Sequence, residues 1–432
     1  MGNSSEKRQA PESANAVFLP TTGDNNLPLK GFPLRGRSDS GWSIFDDDIP
    51  YPIAVMKDSA LANNGTTMRE FCERNGVDIA PHGKTTMSPE LFKRQIDDGA
   101  WAITAATTWQ AKVMWEAGVS RVLIANQVVA PGEIEWLASA RAQGFDVICY
   151  VDSVAGVAIF DEALGRLEPD QPFPVLVEMG VVDGRTGVRT IEEGLAVAGA
   201  AFASPHLALT GTSGFEGILG AQGERSAHDV VDEFLDQIVE LTREIERRGW
   251  FHPSLDLIVT AGGSAFFDRV VARFGLLGLE RPVRLVIRSG CYLSHDDGSL
   301  HNASPMGATG RTGYPDHLIP AIEVWGSVLS RPEPTRAIVG VGKRDASSDG
   351  LLPIVKKVRR RGASQVETVH EFRAIALNDQ HAYLDLDPAD PLTVGDLVAF
   401  GISHPCTTFD KWRAIPIVDD DYRVVSLAHT LF

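Results

Sequence analysis

Between residues 53 and 290, short β-branched apolar runs alternate with longer segments whose apolar positions recur at helical spacing, the pattern of βα units around parallel strands. The runs predict strands at Ile53–Lys57, Val77–His82, Trp101–Ala106, Arg121–Asn126, Asp146–Val151, Pro174–Met179, His206–Gly211, Leu255–Gly262 and Val283–Gly290. Helix punctuation lies between them. Ser88 before Pro89 reads as an N-cap ahead of a first-turn proline, and Gly99, Gly118 and Gly144 fall where helices end. The longest helix, near Ala227–Arg248, presents Val230, Phe234, Leu235, Ile238, Leu241 and Ile245 on one stripe. This is one strand more than a closed eightfold barrel needs, and an open doubly wound sheet has the same periodicity.

Past about residue 315 long helices are absent. Strand-like runs follow at Arg336–Val341, His370–Leu377, Ala382–Leu386, Leu397–Ile402, Ala414–Val418 and Tyr422–Leu427, separated by turn signals such as Asn378-Asp379, and predict a second, all-β domain. Lys356-Lys357 and Arg359-Arg360-Arg361 form a basic cluster that reads as a solvated loop. The first 40 residues or so are polar, with short apolar pieces such as Ala16-Val17-Phe18-Leu19, and read as an arm.

The chain has 432 residues and a net charge of −17, which argues against a nucleic-acid partner. No apolar run reaches the ~18 residues of a membrane span, and the start has no signal-peptide core. Position 6 is Glu, so the myristoylation pattern fails as well. Four cysteines at 72, 149, 291 and 406 do not make a disulfide framework. A soluble, reduced, cytoplasmic protein is expected.

Candidate chemistry concentrates in three places. Ala80-Pro81-His82-Gly83-Lys84-Thr85-Thr86 follows an apolar strand, so Lys84 would enter the mouth where ligands of α/β folds bind, partly desolvated and able to condense with a carbonyl cofactor. Thr260-Ala261-Gly262-Gly263-Ser264, with Ala265-Phe266-Phe267-Asp268 opening a helix, offers backbone N–H groups to an anion. In Ser403-His404-Pro405-Cys406-Thr407, residues i and i+2 of a strand would point His404 and Cys406 at one cation, with Pro405 marking an edge or bulge.

The run from Trp42 to Val129, the Pro81-His82-Gly83-Lys84-Thr85 motif above all, together with the C-terminal His-Pro-Cys, resembles the D-serine dehydratase and D-threonine aldolase family. That resemblance implies an alanine-racemase-like fold, a (β/α)8 TIM-type barrel with a C-terminal all-β domain. The division would be an arm over 1–40, a lead-in over 41–75 whose strand joins the β domain, a barrel over 76–315, and a β domain over 316–432. It also implies pyridoxal phosphate on Lys84, with His82 among the cofactor residues. The phosphate would lie on Gly263 and Ser264 with help from Gly290 and Cys291, and Arg185 near the phenolic oxygen or the substrate. Arg288 would stand against the pyridine nitrogen, unless it simply pairs with a carboxylate. His404 and Cys406 would hold zinc or another divalent cation; the cysteine favours a dehydratase, since the aldolase branch tends to carry a carboxylate there. The expected reaction is β-elimination from a D-3-hydroxy amino acid such as D-serine, giving a 2-oxo acid and ammonia in a homodimeric enzyme. Retro-aldol cleavage to glycine and an aldehyde is the near alternative. A non-catalytic pyridoxal-phosphate-binding protein and a racemase are the others. Gln127, a strand-end amide, has no expected role.

Overall fold

In the computed structural model, residues 29–34, 39–308, 310–311, 313 and 317–432 are described. The N-terminal strand β1 spans Ile53–Lys57, and eight short strands follow: β2 (Asp78–Ile79), β3 (Ile103–Ala105), β4 (Arg121–Gln127), β5 (Asp146–Val151), β6 (Phe173–Met179), β7 (Leu207–Gly214), β8 (Leu257–Ala261) and β9 (Val283–Ile287). Strands β2 to β9 pair in parallel in the order β2-β9-β8-β7-β6-β5-β4-β3. The two ends of that sheet meet. The Trp101 N–H donates to the Ile79 carbonyl at 2.8 Å and the Thr104 N–H to that of Pro81 at 2.9 Å, while His82 bridges to Thr104. Closure excludes the open doubly wound sheet.

Both faces of the closed sheet are covered, which is why its strands read as continuous apolar runs. Ala80, Ala102, Leu123, Ile148, Leu176, Ile258 and Val286 fill the interior, and alternate residues such as Val122, Ile124 and Val147 pack outward against the helices. The helix Ala227–Arg247 contributes the expected stripe and opens on a capping box of Ser226 and Asp229. Pro89 opens the helix Pro89–Asp97 as expected, but the Ser88 hydroxyl donates to Glu90 Oε2 at 3.0 Å and leaves the cap without a side-chain bond.

β1 lies outside the barrel, antiparallel to β10 (Ile322–Glu333) and parallel to β17 (Ala414–Val418). The remaining strands are β11 (Arg336–Val339), β12 (Ile354–Arg359), β13 (Glu367–Thr368), β14 (Arg373–Leu377), β15 (Ala382–Asp385), β16 (Leu397–Gly401) and β18 (Val424–His429). The second sheet runs β13-β12-β16-β10-β1-β17-β18, with β11, β15 and β14 extending from β10. The architecture is therefore the alanine-racemase-like one, an α/β barrel with a β domain.

The basic cluster is not a solvated loop. Lys356, Lys357 and Arg359 belong to β12, where Lys356 pairs with Asp297 at 2.7 Å and Lys357 with the buried Glu323 at 2.6 Å. Arg360, just beyond, reaches Asp390 and Asp396. Of the N-terminal arm, residues 1–28 lie outside the described part. Lys30, which is within it, pairs with Asp345 at 2.6 Å and lies over the Trp412 ring. Among the described residues no helix is long and apolar enough to cross a membrane.

Candidate active site

After β2 the chain turns through a 3₁₀ segment, Gly83–Thr85, that carries Lys84 into a cavity of about 640 Å³ at the barrel mouth, a size suited to a small cofactor with its substrate. Two glycines set this turn against its surroundings. A Cβ on Gly83 would stand 2.5 Å from Met114 Cε and 2.7 Å from Ile103 Cγ2, and one on Gly290 would stand 2.6 Å from the His82 carbonyl oxygen. The close packing pins the backbone while the Lys84 side chain stays exposed at the cavity.

His82 faces the same cavity. Its Nδ1 has no protein partner, and burial, reinforced by the Lys84 and Arg288 cations, holds the imidazole neutral well below its ordinary range. Arg288, buried just after β9, donates to Thr260 Oγ1 at 2.7 Å and to the Gly214 carbonyl at 2.6 Å. Neither bond goes to a carboxylate, so the simple ion-pair reading of Arg288 does not hold. Its guanidinium lies 5.9 Å from the ring of Tyr150, whose phenol burial pushes up to about 12. Arg185 comes from the loop after β6 and rests on the Phe215 ring at 4.3 Å.

The glycine turn after β8 differs from expectation in one respect. The Gly262 N–H and the Gly263 N–H donate to the buried Glu216 carboxylate, at 2.9 and 2.6 Å. The helix beyond begins only at Phe267. Those two donors are therefore taken, and the anion cradle narrows to Ser264 and the neighbouring Gly290-Cys291 segment. The Ser289 hydroxyl ties the two turns together by donating to the Gly263 carbonyl at 3.0 Å.

His404 and Cys406 do come together, but not by strand alternation. β16 ends at Gly401, and Cys406 is the first residue of a short helix, Cys406–Phe409, with Pro405 at its N-cap rather than at a sheet edge. His404 Nδ1 is 2.7 Å from Asp349 Oδ2, which leaves Nε2 for the cavity side. The His404 imidazole is pushed up to about 9, first by its hydrogen bond with Cys406 and then by Asp349. The Cys406 thiol is drawn down, first by a hydrogen bond from Cys291 and then by His404 and Thr85. Among the described residues no three His, Cys, Asp or Glu side chains already converge as a ready-made metal-ligand set.

The residues present fit the two groups expected here. A primary amine, a glycine-walled cradle, two arginines and the unpartnered His82 Nδ1 suit an anionic carbonyl cofactor such as pyridoxal phosphate. An imidazole oriented by a carboxylate, beside a thiol of lowered pKa, suits zinc. Among the cavity residues that the sequence motifs did not signal are Glu178, which accepts from Gln127 Nε2 at 2.7 Å, Asp349 and Tyr150. Asp349 lies 55 residues from His404, so no local spacing could join them.

Comparison with known proteins agrees with this geometry. Residues 321–418 match the family described as "Putative serine dehydratase domain". The chain is 26% identical over 316 residues to 3-hydroxy-D-aspartate aldolase of Paracoccus denitrificans (strain Pd 1222), covering 72% of this chain and 76% of that one. It is 23% identical over 371 residues to D-threonine aldolase of an Arthrobacter species, covering 85% and 89%. Identity to D-threo-3-hydroxyaspartate dehydratase of a Delftia species (strain HT23) is 31% over 137 residues, 32% of this chain and 35% of that one. Among solved structures, D-threonine aldolase from Filomicrobium marinum superposes with a TM-score of 0.71 at 21% identity over 89% of this chain and 95% of that one. Alanine racemase of Clostridium difficile 630 does so at 0.59 and 13% over 88% and 99%. The resemblance to the D-serine dehydratase and D-threonine aldolase family, on the alanine-racemase fold, is thereby shown.

Proposed function

We propose that this relative of the D-serine dehydratase and D-threonine aldolase family is a lyase that eliminates water from a D-3-hydroxy amino acid such as D-serine, releasing a 2-oxo acid and ammonia. Pyridoxal phosphate would be held by Lys84, with Ser264, Gly290 and the Cys291 backbone on its phosphate, Arg185 near its phenolic oxygen or the substrate, and Arg288 at its ring nitrogen. Zinc would be held by His404 and Cys406. The observation that carries the reading is the Thr85 bridge. Thr85 follows Lys84 directly, and the Cys406 thiol donates to its hydroxyl at 3.4 Å, so the amine and the metal pair face one small volume.

Bound there, pyridoxal phosphate supplies an electron sink for charge at the substrate Cα, and zinc supplies a Lewis acid for the β-hydroxyl. The chain's own residues do the rest. The Lys84 amine, exposed to the cavity, moves the α-proton. Arg288 is a permanent cation held by two hydrogen bonds; beside a ring nitrogen it would disfavour protonation and weaken the sink, so help for the leaving group carries more of the barrier. Asp349 keeps the His404 ring oriented. Four free thiols suit a reducing, cytoplasmic setting, and a homodimer is the assembly expected of the fold.

Retro-aldol cleavage is the second reading, favoured by the two long alignments with proteins named as aldolases. Purified protein loaded with pyridoxal phosphate and incubated with D-serine, D-threonine and D-threo-3-hydroxyaspartate separates the two. Ammonia with pyruvate or 2-oxobutyrate, lost on chelation and restored by zinc, is expected. Glycine with an aldehyde would move the assignment to the aldolase. Absorbance changes without any product would leave only a cofactor-binding protein.

A further inference from the structure

The Cys291 thiol has a relation to Cys406 that a role in cradling phosphate does not use. Cys291 lies at the end of the barrel segment Arg288-Ser289-Gly290-Cys291, past β9, whereas Cys406 begins the short helix after β16 of the second sheet. Their sulfurs are 3.8 Å apart. That distance is nearly twice the ~2.0 Å of a disulfide, and both cysteines are free. It does match another geometry. Two thiolates bound at about 2.3 Å to one tetrahedral zinc stand about 3.8 Å from each other.

Thr85 supports the same placement, since its hydroxyl lies 3.8 Å from the Cys291 sulfur and 3.4 Å from that of Cys406. A single hydroxyl between two sulfurs can donate to either once both are thiolates, the outer contact that metal-bound sulfur commonly receives. The imidazole of His404 is the third donor. It is half-exposed, at 40%, and tethered through Nδ1 to Asp349.

We propose that Cys291 is a third zinc ligand, so that the metal centre is a His404-Cys406-Cys291 site shared between the barrel and the β domain, with its fourth position open to substrate. The proposal rests on the metal-dependent reading above and deepens it. The three side chains do not stand as a closed set in the structure, and binding of the ion would draw them together. A Cys2His set with one open position is an established catalytic zinc arrangement. Its two thiolates select zinc over magnesium or manganese, which a harder donor set would accept. Because Cys291 comes from the barrel and His404 and Cys406 from the β domain, the ion would also tie the two domains together.

The test uses the full-length, pyridoxal-phosphate-loaded protein under reducing conditions, with Co(II) and zinc as probes. In wild type, Co(II) should give a sulfur-to-metal charge-transfer band that falls to about half in Cys291→Ser and in Cys406→Ser. Zinc affinity measured against a competing chelator should fall on the order of 100-fold or more in Cys291→Ser, since even the loss of an outer partner costs 10- to 100-fold. Zinc should also raise the thermal midpoint of wild type more than that of Cys291→Ser. X-ray absorption at the zinc edge of wild type should count two sulfurs, a measurement that needs no variant. One sulfur, or a Cys291→Ser protein with undiminished band and affinity, overturns the third ligand while leaving zinc on His404 and Cys406 intact. Failure of wild type to bind either metal overturns both.

Discussion

Beneath the second sheet, the buried Glu323 carboxylate has every contact filled: Lys357 Nζ at 2.6 Å, the Tyr422 hydroxyl at 2.9 Å and Trp325 Nε1 at 3.0 Å. Lys57 closes the group, donating to the Asp419 carbonyl at 3.0 Å and lying over the Tyr422 ring. At the barrel mouth the polar groups are left short instead. Lys84 is exposed, His82 Nδ1 and Gln127 Oε1 have no partner, and two thiols face each other at 3.8 Å. Unmet polar capacity inside a folded protein is costly. Such atoms occur elsewhere in the fold as well, Gln95 Oε1 and Arg336 Nε among them, but those at the mouth border the cavity, where binding can supply the missing partners, whereas the group around Glu323 serves the fold alone.

The largest expected effect breaks the deficient site without touching the saturated one. Lys84→Ala should lower ammonia release from D-serine by more than about 10⁴-fold, since it removes both the cofactor anchor and the proton carrier. Its thermal midpoint without cofactor should stay within about 1 °C of wild type, because surface changes away from packed contacts cost under ~0.5 kcal/mol. Appreciable turnover in this variant, measured by ammonia assay, would remove Lys84 from its role.

The converse change comes second in size. Glu323→Ala leaves the Lys357 ammonium and the Tyr422 hydroxyl beneath the sheet without their acceptor, and breaking a buried pair in this way costs about 3–5 kcal/mol. Urea unfolding followed by circular dichroism should show that loss, while turnover per folded molecule in buffer changes less than about twofold. Glu323→Gln, which keeps an acceptor, should fall between. If Glu323→Ala instead lowers turnover with stability unchanged, the two regions are not separate.

The sequence makes these two regions legible to different degrees, for physical reasons. The barrel strands are readable because two-sided burial leaves runs such as Val122-Leu123-Ile124 without polar interruption, and the Lys84 turn because its motif is contiguous. The charge network was hidden. β12 carries Lys356, Lys357 and Arg359 in strand conformation because Asp297 and Glu323, far off in sequence, accept two of those cations. β10 goes unrecognised for a related reason: its Glu323 is polar in the chain yet buried in the fold. In the site, His404 and Cys406 are visible as a pair. Their orienting carboxylate Asp349, the Glu216 that takes the Gly262 and Gly263 donors, and the approach of Cys291 all depend on tertiary contacts that no spacing encodes.

The smallest expected effect tests the seam between the two regions. His429, at the end of β18, has Nδ1 2.7 Å from Glu90 Oε1, and its N–H donates to Glu90 Oε2 at 3.1 Å, joining the second sheet to the helix Pro89–Asp97 that follows the Lys84 turn. The hydrogen bond to Glu90 raises the His429 imidazole above its ordinary 6.5. Burial pushes the Glu90 carboxyl up, but the bond to His429 and its neighbours outweigh it and bring the group below 4.5. The raised histidine contributes stability that is full below pH 6.5 and is lost as pH rises through its folded value; the lowered carboxylate contributes stability that is full above pH 4.5 and is lost as pH falls through its folded value. The pair is therefore worth most between about pH 4.5 and 6.5. With side chains 23% and 33% exposed, solvent screening limits it to ~0.2–1 kcal/mol. Glu90→Gln should remove that advantage between pH 4.5 and 6.5 and leave the wild-type and variant urea midpoints nearly equal at pH 9. A difference that persists undiminished at pH 9 would show that Glu90 acts through its hydrogen bonds to Ser88 and the His429 backbone rather than through the ion pair.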